Sequence, residues 1–123
     1  MSKDQHLLLK ILRLLAEKTR DGRVVWAESP RVGRFLAVVN GQTFTLTSSG
    51  GEEGEPASVT VQAVDEAGRS LWSVWADDRA PEEDGPPREI GQAVYALEEA
   101  VDEQVADVKV SRMERSLEGL ASV

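Results

Sequence analysis

Adjacent acids are the commonest chemistry-bearing pattern in this chain: Glu52-Glu53, Asp77-Asp78, Glu82-Glu83-Asp84 and Glu98-Glu99. Two carboxylates in one cleft can divide acid and base roles if burial raises the pKa of one. Nearly all of these are expected in loops or on an exposed helix face, where both partners stay ionised. Asp77-Asp78 with Glu82-Glu83-Asp84 could gather a hard cation such as Ca²⁺. The spacing is not that of an EF-hand loop and Pro81 interrupts it, so a solvated acidic loop is expected instead. His6 is the only histidine, and it falls in the first turn of a terminal helix. No Ser-His-Asp triad can be assembled without it. The absence of cysteine removes thiol catalysis, disulfides and thiolate metal sites together. Gly50-Gly51-Glu52-Glu53-Gly54 is glycine-rich but lacks the lysine of a P-loop, and its acids would repel phosphate. The sequence therefore assigns no catalytic, cofactor-binding or metal-binding residue, and the chain is expected not to be an enzyme.

Aromatic and apolar residues leave more room for function. Trp26, Trp72 and Trp75 are three of six aromatics. Gly22-Arg23-Val24-Val25-Trp26 and Gly68-Arg69-Ser70-Leu71-Trp72 share a pattern in which a glycine turn launches a short apolar strand. Trp26 and Trp72 are expected to anchor the core. Trp75 is expected on the opposite face of its strand, as a contact for a partner or as a residue buried under a helix. A one-residue slip would exchange Trp72 and Trp75.

The elements that position these residues follow from periodicity. Ser2 and Gln5 form a capping-box pair. Leu8, Ile11, Leu12 and Leu15 mark one helical face, widened by Leu7 and Leu14. Asp21-Gly22 ends that helix. Strands are expected over residues 23–27, 35–39, 43–47, 58–64 and 69–76. Asn40-Gly41 is a two-residue hairpin turn, and it sets Val39 opposite Gln42, Ala37 opposite Phe44 and Phe35 opposite Leu46. Pairing Val64 with Arg69 would set Val61 opposite Trp72 and Val59 opposite Val74. Residues 48–56 and 77–87 read as two acidic, solvated loops. Pro86-Pro87 suits the first turn of a helix.

That last helix carries Ile90, Val94, Leu97, Val101, Val105 and Val108 on one stripe, then Ala106, Val110, Met113, Leu117 and Leu120 on another. Unbroken over residues 88–118 it would be about 46 Å long, against about 20 Å for a six-residue strand. It must bend back, break near residues 107–109, or project beyond the sheet. The whole reads as an α+β two-layer sandwich, with a meandering antiparallel five-stranded sheet between an N-terminal and a long C-terminal helix. Residues 1–108 are expected to form one domain and residues 109–123 a helical extension.

The composition, 41% hydrophobic and 29% charged, is that of a soluble globular domain. Arg outnumbers Lys ten to four beside abundant Ala, Val and Gly, the manner of a GC-rich bacterial genome. The net charge of −8 divides into +4 for residues 1–47 and −12 for residues 48–123. An acidic body does not bind nucleic acid through phosphates. Lys10, Arg13, Glu17 and Lys18 break any signal-peptide reading of the N-terminal leucines, and no apolar run reaches membrane-spanning length. No membrane association is expected, and a cytoplasmic location is.

The run Thr19-Arg20-Asp21-Gly22-Arg23-Val24-Val25-Trp26, followed by an antiparallel sheet with Asp65-x-x-Gly68 before its last strand and a closing helix, resembles small bacterial α-β-α domains of uncharacterised role over roughly residues 7–105. The general plan is also similar to acidic α+β secretion chaperones, which dimerise and hold partner segments; this chain departs from theirs in having no helix between its strands. The motifs concerned are turns, so the resemblance implies fold and carries no activity.

The expected function is a non-catalytic protein-interaction module of adaptor, immunity-type or accessory, chaperone-like character. Its partner is another protein, met through the outer sheet face (Leu36, Val38, Thr45, Thr60, Trp75) and/or the stripe Val110, Met113, Leu117 and Leu120, which would also serve a homodimer. That outer face, with Thr43, Ser58, Gln62 and Ser73, reads as neutral and rich in hydroxyls; an ordinary solvent-facing sheet has the same composition. The alternative is a small-molecule pocket between sheet and helices. A third reading is an acidic mimic of nucleic acid using Glu98, Glu99, Asp102 and Glu103.

Overall fold

The computed structural model describes residues 2–31, 33–49, 57–77 and 87–123. Helix α1 (Lys3–Arg20) is followed by strands β1 (Ala27–Glu28), β2 (Arg34–Val39), β3 (Gln42–Ser49), β4 (Ser58–Val64) and β5 (Ser70–Asp77), then helix α2 (Arg88–Ala121). The strands form one antiparallel sheet in sequence order. This is the expected α+β arrangement.

The N-terminus of α1 is closed by the capping box, Gln5 N–H donating to Ser2 Oγ at 3.2 Å and Ser2 N–H to Gln5 Oε1 at 2.9 Å. Its C-terminus is a Schellman turn: Gly22 (φ +76°) donates to the Thr19 carbonyl and Arg23 to the Lys18 carbonyl. The buried face of α1 is Leu9, Leu12, Leu15, Ala16 and Thr19. Leu7 and Leu14, expected to widen the buried stripe, are exposed instead, and Leu9 takes the place beside Leu12.

Residues 23–26 do not form the first strand. Their backbone is engaged elsewhere: Arg23 and Val24 N–H both reach the Lys18 carbonyl, and Gln104 of α2 holds the Val24 carbonyl and the Trp26 N–H. Only Ala27–Glu28 is left to pair with β2.

Around Asn40-Gly41 the turn has φ +48° and +81°, and the β2–β3 register is the expected one. The β4–β5 register differs from expectation by two residues. Val61 faces Val74, Val59 faces Ala76 and Ala63 faces Trp72; an irregularity between Ala63 and Val64 takes up one residue of the offset, and Val64 pairs with Ser70 and not with Arg69. An offset of two preserves the faces. Trp72 therefore points inward and Trp75 outward. Ala63 lies between Phe44 and Trp72 in one cross-strand row, and its small side chain lets those rings meet with centroids 6.2 Å apart. Ser48, Ser49 and Asp77, expected in loops, belong to strands; Pro87 is the N-cap of α2, and residues 50–56 and 78–86 lie outside the described residues.

The inner face (Ala37, Phe44, Leu46, Val59, Val61, Ala63, Val74, Ala76) joins Leu9, Leu12 and Leu15 of α1 and Ile90, Val94, Leu97 and Val101 of α2 in one core. Helix α2 lies against β4 and β5, and α1 packs on α2. Helix α2 does not break or bend back: it is a single helix to Ala121, and every residue from Ala106 onward is exposed. Among the described residues no helix is long and apolar enough to cross a membrane.

Candidate functional site

Alternation along the strands places Arg34, Leu36 and Val38, then Thr43, Thr45 and Thr47, then Ser58, Thr60, Gln62 and Val64, then Ser73, Trp75 and Asp77 on the sheet face opposite the core. The pairing arranges them in rows. Arg34, Thr47, Thr60 and Trp75 form one; Leu36, Thr45, Gln62 and Ser73 form the next; Val38, Thr43 and Val64 form a third. In the first row long side chains stand at the two ends, with threonines between them. Three strand spacings of ~4.8 Å separate the ends by about 14 Å.

Trp75 is 48% exposed and Val38 72% exposed. Thr45, at the centre, is buried to 7% although it belongs to this face. Leu36 and Thr60 are half-buried. The five residues expected here from the sequence are thus brought onto one face. The face is not free of charge as expected, because β2 begins one residue earlier at Arg34 and β5 ends on Asp77. The Arg34 Nε–H is buried and has no hydrogen-bond partner among the described residues. A buried donor left without an acceptor costs about 1–3 kcal/mol.

The second expected group lies on α2. Val110, Met113, Leu117 and Leu120 are exposed by 52–74%. They are not brought together with the sheet face. Nine residues separate Val101, which is fully buried, from Val110. At ~100° per residue the two point in opposite directions from the helix axis. The tail stripe therefore faces away from the core.

Among the acidic residues of α2, Glu98 is not simply exposed: it is half-buried, and its Oε2 accepts from Ser48 Oγ at 2.6 Å. Asp102 has its pKa raised, first by desolvation and second by the neighbouring Glu98 carboxylate. Among the described residues no three His, Asp or Glu side chains are grouped so as to hold a metal ion; Asp78 and Glu82-Glu83-Asp84 lie outside them.

Sequence reasoning missed the polar centre of the fold. Gln104 Oε1 accepts from Trp26 N–H at 2.7 Å, and its Nε2 donates to the Val24 carbonyl at 2.8 Å and the Thr19 carbonyl at 3.0 Å. The Trp26 indole donates to Thr19 Oγ1, which donates in turn to the Leu15 carbonyl. One visible signal was Gln104 itself, a neutral amide between Val101 and Val105 on the apolar stripe.

Compared with models of protein families, with curated proteins and with solved structures, the chain matches none.

Proposed function

We propose that this chain is a non-catalytic protein-interaction module, an adaptor, immunity-type or accessory protein of a bacterial cytoplasm, which docks a protein partner on the outer sheet face. The observation that carries this reading is the row Arg34–Thr47–Thr60–Trp75: a half-exposed tryptophan at one end, a half-buried arginine at the other, and hydroxyls between. Tryptophan and arginine are the side chains that most often dominate interface energies. The row supplies apolar area, hydrogen-bonding groups and a cation for a partner carbonyl or carboxylate. The layer between sheet and helices is packed around Leu12, Leu46, Val61, Val94 and Leu97, with Phe35, Val39 and Trp72 half-buried at its rim.

Affinity capture from the source cell, quantified for wild type, Trp75→Ala and Val38→Glu, tests the reading. A partner held by wild type and released by both variants, at unchanged melting temperature, is the expected result. Retention of every captured protein by both variants would sink it.

A further inference from the structure

We propose that the projecting part of α2 pairs with α2 of a second copy of this chain in a short parallel coiled coil, with Lys109 of each copy facing Glu114 of the other. This rests on reading the chain as an interaction module, but on the tail alone and not on the sheet face.

Ala106, Val110, Met113, Leu117 and Leu120 recur at 4-3-4-3 spacing, the a/d repeat of a coiled-coil seam. Because α2 is unbroken, the rotation between the seam and the buried stripe is fixed. The seam points away from the core, so two copies can join helices while each domain stays on the outside of its own helix. The same rotation keeps the domain from covering its own stripe.

The charges choose both the occupant and the direction. With Val110 and Leu117 at a, Lys109 takes a g position and Glu114 the following e position. In a parallel pair, g of one helix meets the next e of the other, giving two symmetric Lys109–Glu114 contacts. An antiparallel pair centred on the same stripe sets Glu114 against Glu114. Among the described residues neither Lys109 nor Glu114 has an ion-pair partner within the chain. Upstream, Asp102 and Asp107 would fall on the preceding g–e pair and Glu103 on an a position, so like charges part the helices before Ala106. The seam is thus confined to residues 106–120. That is about two heptads, short of the three to four of a stable coiled coil. The expected dissociation constant lies between about 10 µM and 1 mM, below the affinity of a standard-sized interface.

Sedimentation equilibrium of the full chain up to about 1 mM at low salt tests this, with circular dichroism as a control for folding; the substituted side chains are exposed and leave the core intact. Wild type should form dimers and Leu117→Asp should not. Lys109→Glu should weaken association about fivefold, ~1 kcal/mol in all, since two attractive pairs become repulsive. The double variant Lys109→Glu/Glu114→Lys should return to within about threefold of wild type. Leu120→Cys, in a chain without cysteine, should cross-link to itself under oxidation, because d positions face one another across a parallel seam. A monomer at 1 mM, an unaffected Lys109→Glu variant, or failure of the double variant to recover would each overturn the proposal. Trp75→Ala should dimerise like wild type, so loss of the sheet-face reading and loss of this one are separately visible.

Discussion

The indole Nε1–H of Trp26 donates to Thr19 Oγ1 at 2.9 Å, inside a core where Thr19 is only 2% exposed. The bond ties the last turn of α1 to the segment that leaves it. Thr19→Val keeps the shape and removes the acceptor, leaving the indole N–H buried without a partner. A loss of about 1–3 kcal/mol is expected from urea unfolding. Thr19→Ser retains the hydroxyl and should lose about 1 kcal/mol for the missing methyl group. A Thr19→Val variant as stable as wild type would show that the hydrogen bond contributes nothing.

Gln104 joins three backbone groups that no strand serves. Gln104→Met is close in volume and leaves the Trp26 N–H and Val24 carbonyl unpaired; the Thr19 carbonyl keeps its bond from Gly22. A destabilisation of about 2–4 kcal/mol is expected. Hydrogen exchange should show the Trp26 amide losing protection first.

Asp102 has its pKa raised above 3.8 in the fold, by desolvation and then by Glu98. The native state therefore binds this proton more tightly than the unfolded chain, and stability falls as pH rises from the ordinary carboxylate range through the raised value. Ionised Asp102 thus opposes folding at neutral pH. Asp102→Asn should raise the melting temperature at pH 7 and change it little near pH 3. A larger gain at pH 3 than at pH 7 would contradict the assignment.

Two glycines should respond oppositely to alanine. At Gly91, in helical conformation, an added Cβ would meet only Ala76 Cβ at 3.9 Å, an ordinary contact. Gly91→Ala should stabilise by about 0.5–1 kcal/mol through the unfolded state. At Gly33, φ is +78° and the Ser48 carbonyl oxygen would lie 2.7 Å from the new Cβ. Gly33→Ala should destabilise by about 1–3 kcal/mol. Thermal melts of the two variants beside wild type check both signs.

Much of the framework was legible because it is written in local chemistry. Asn40-Gly41 fixed one hairpin residue by residue, since only positive φ at both positions closes a two-residue turn in that hand. Ser2 with Gln5 and Asp21-Gly22 marked the ends of α1. What local pattern could not reveal was any choice made by a distant side chain. The segment before β1 has the composition of a strand but not the pairing, because Gln104, 78 residues away from Trp26, occupies its backbone. The β4–β5 pairing slid by two because the irregularity beside Val64 leaves no composition signal. On the outer face, alternation placed Trp75 correctly, yet the unpaired Arg34 Nε–H depends on how that side chain lies over the sheet. The exposed tail stripe was visible as periodicity; its direction relative to the core followed only once α2 was seen to be continuous.

That continuity makes α2 a lever. Gln104 pins it at three points to the end of α1 and the segment after it, and beyond this fulcrum residues 106–121 extend for about 24 Å with no hinge. A rigid tilt of about 10° at Gln104 would carry the far end through roughly 4 Å, and would move Ile90 about as far inside the core, because one unbroken helix holds both. The core therefore sets the direction of the tail: whatever grips the tip meets an arm that cannot swing without unpacking Ile90, Val94, Leu97 and Val101.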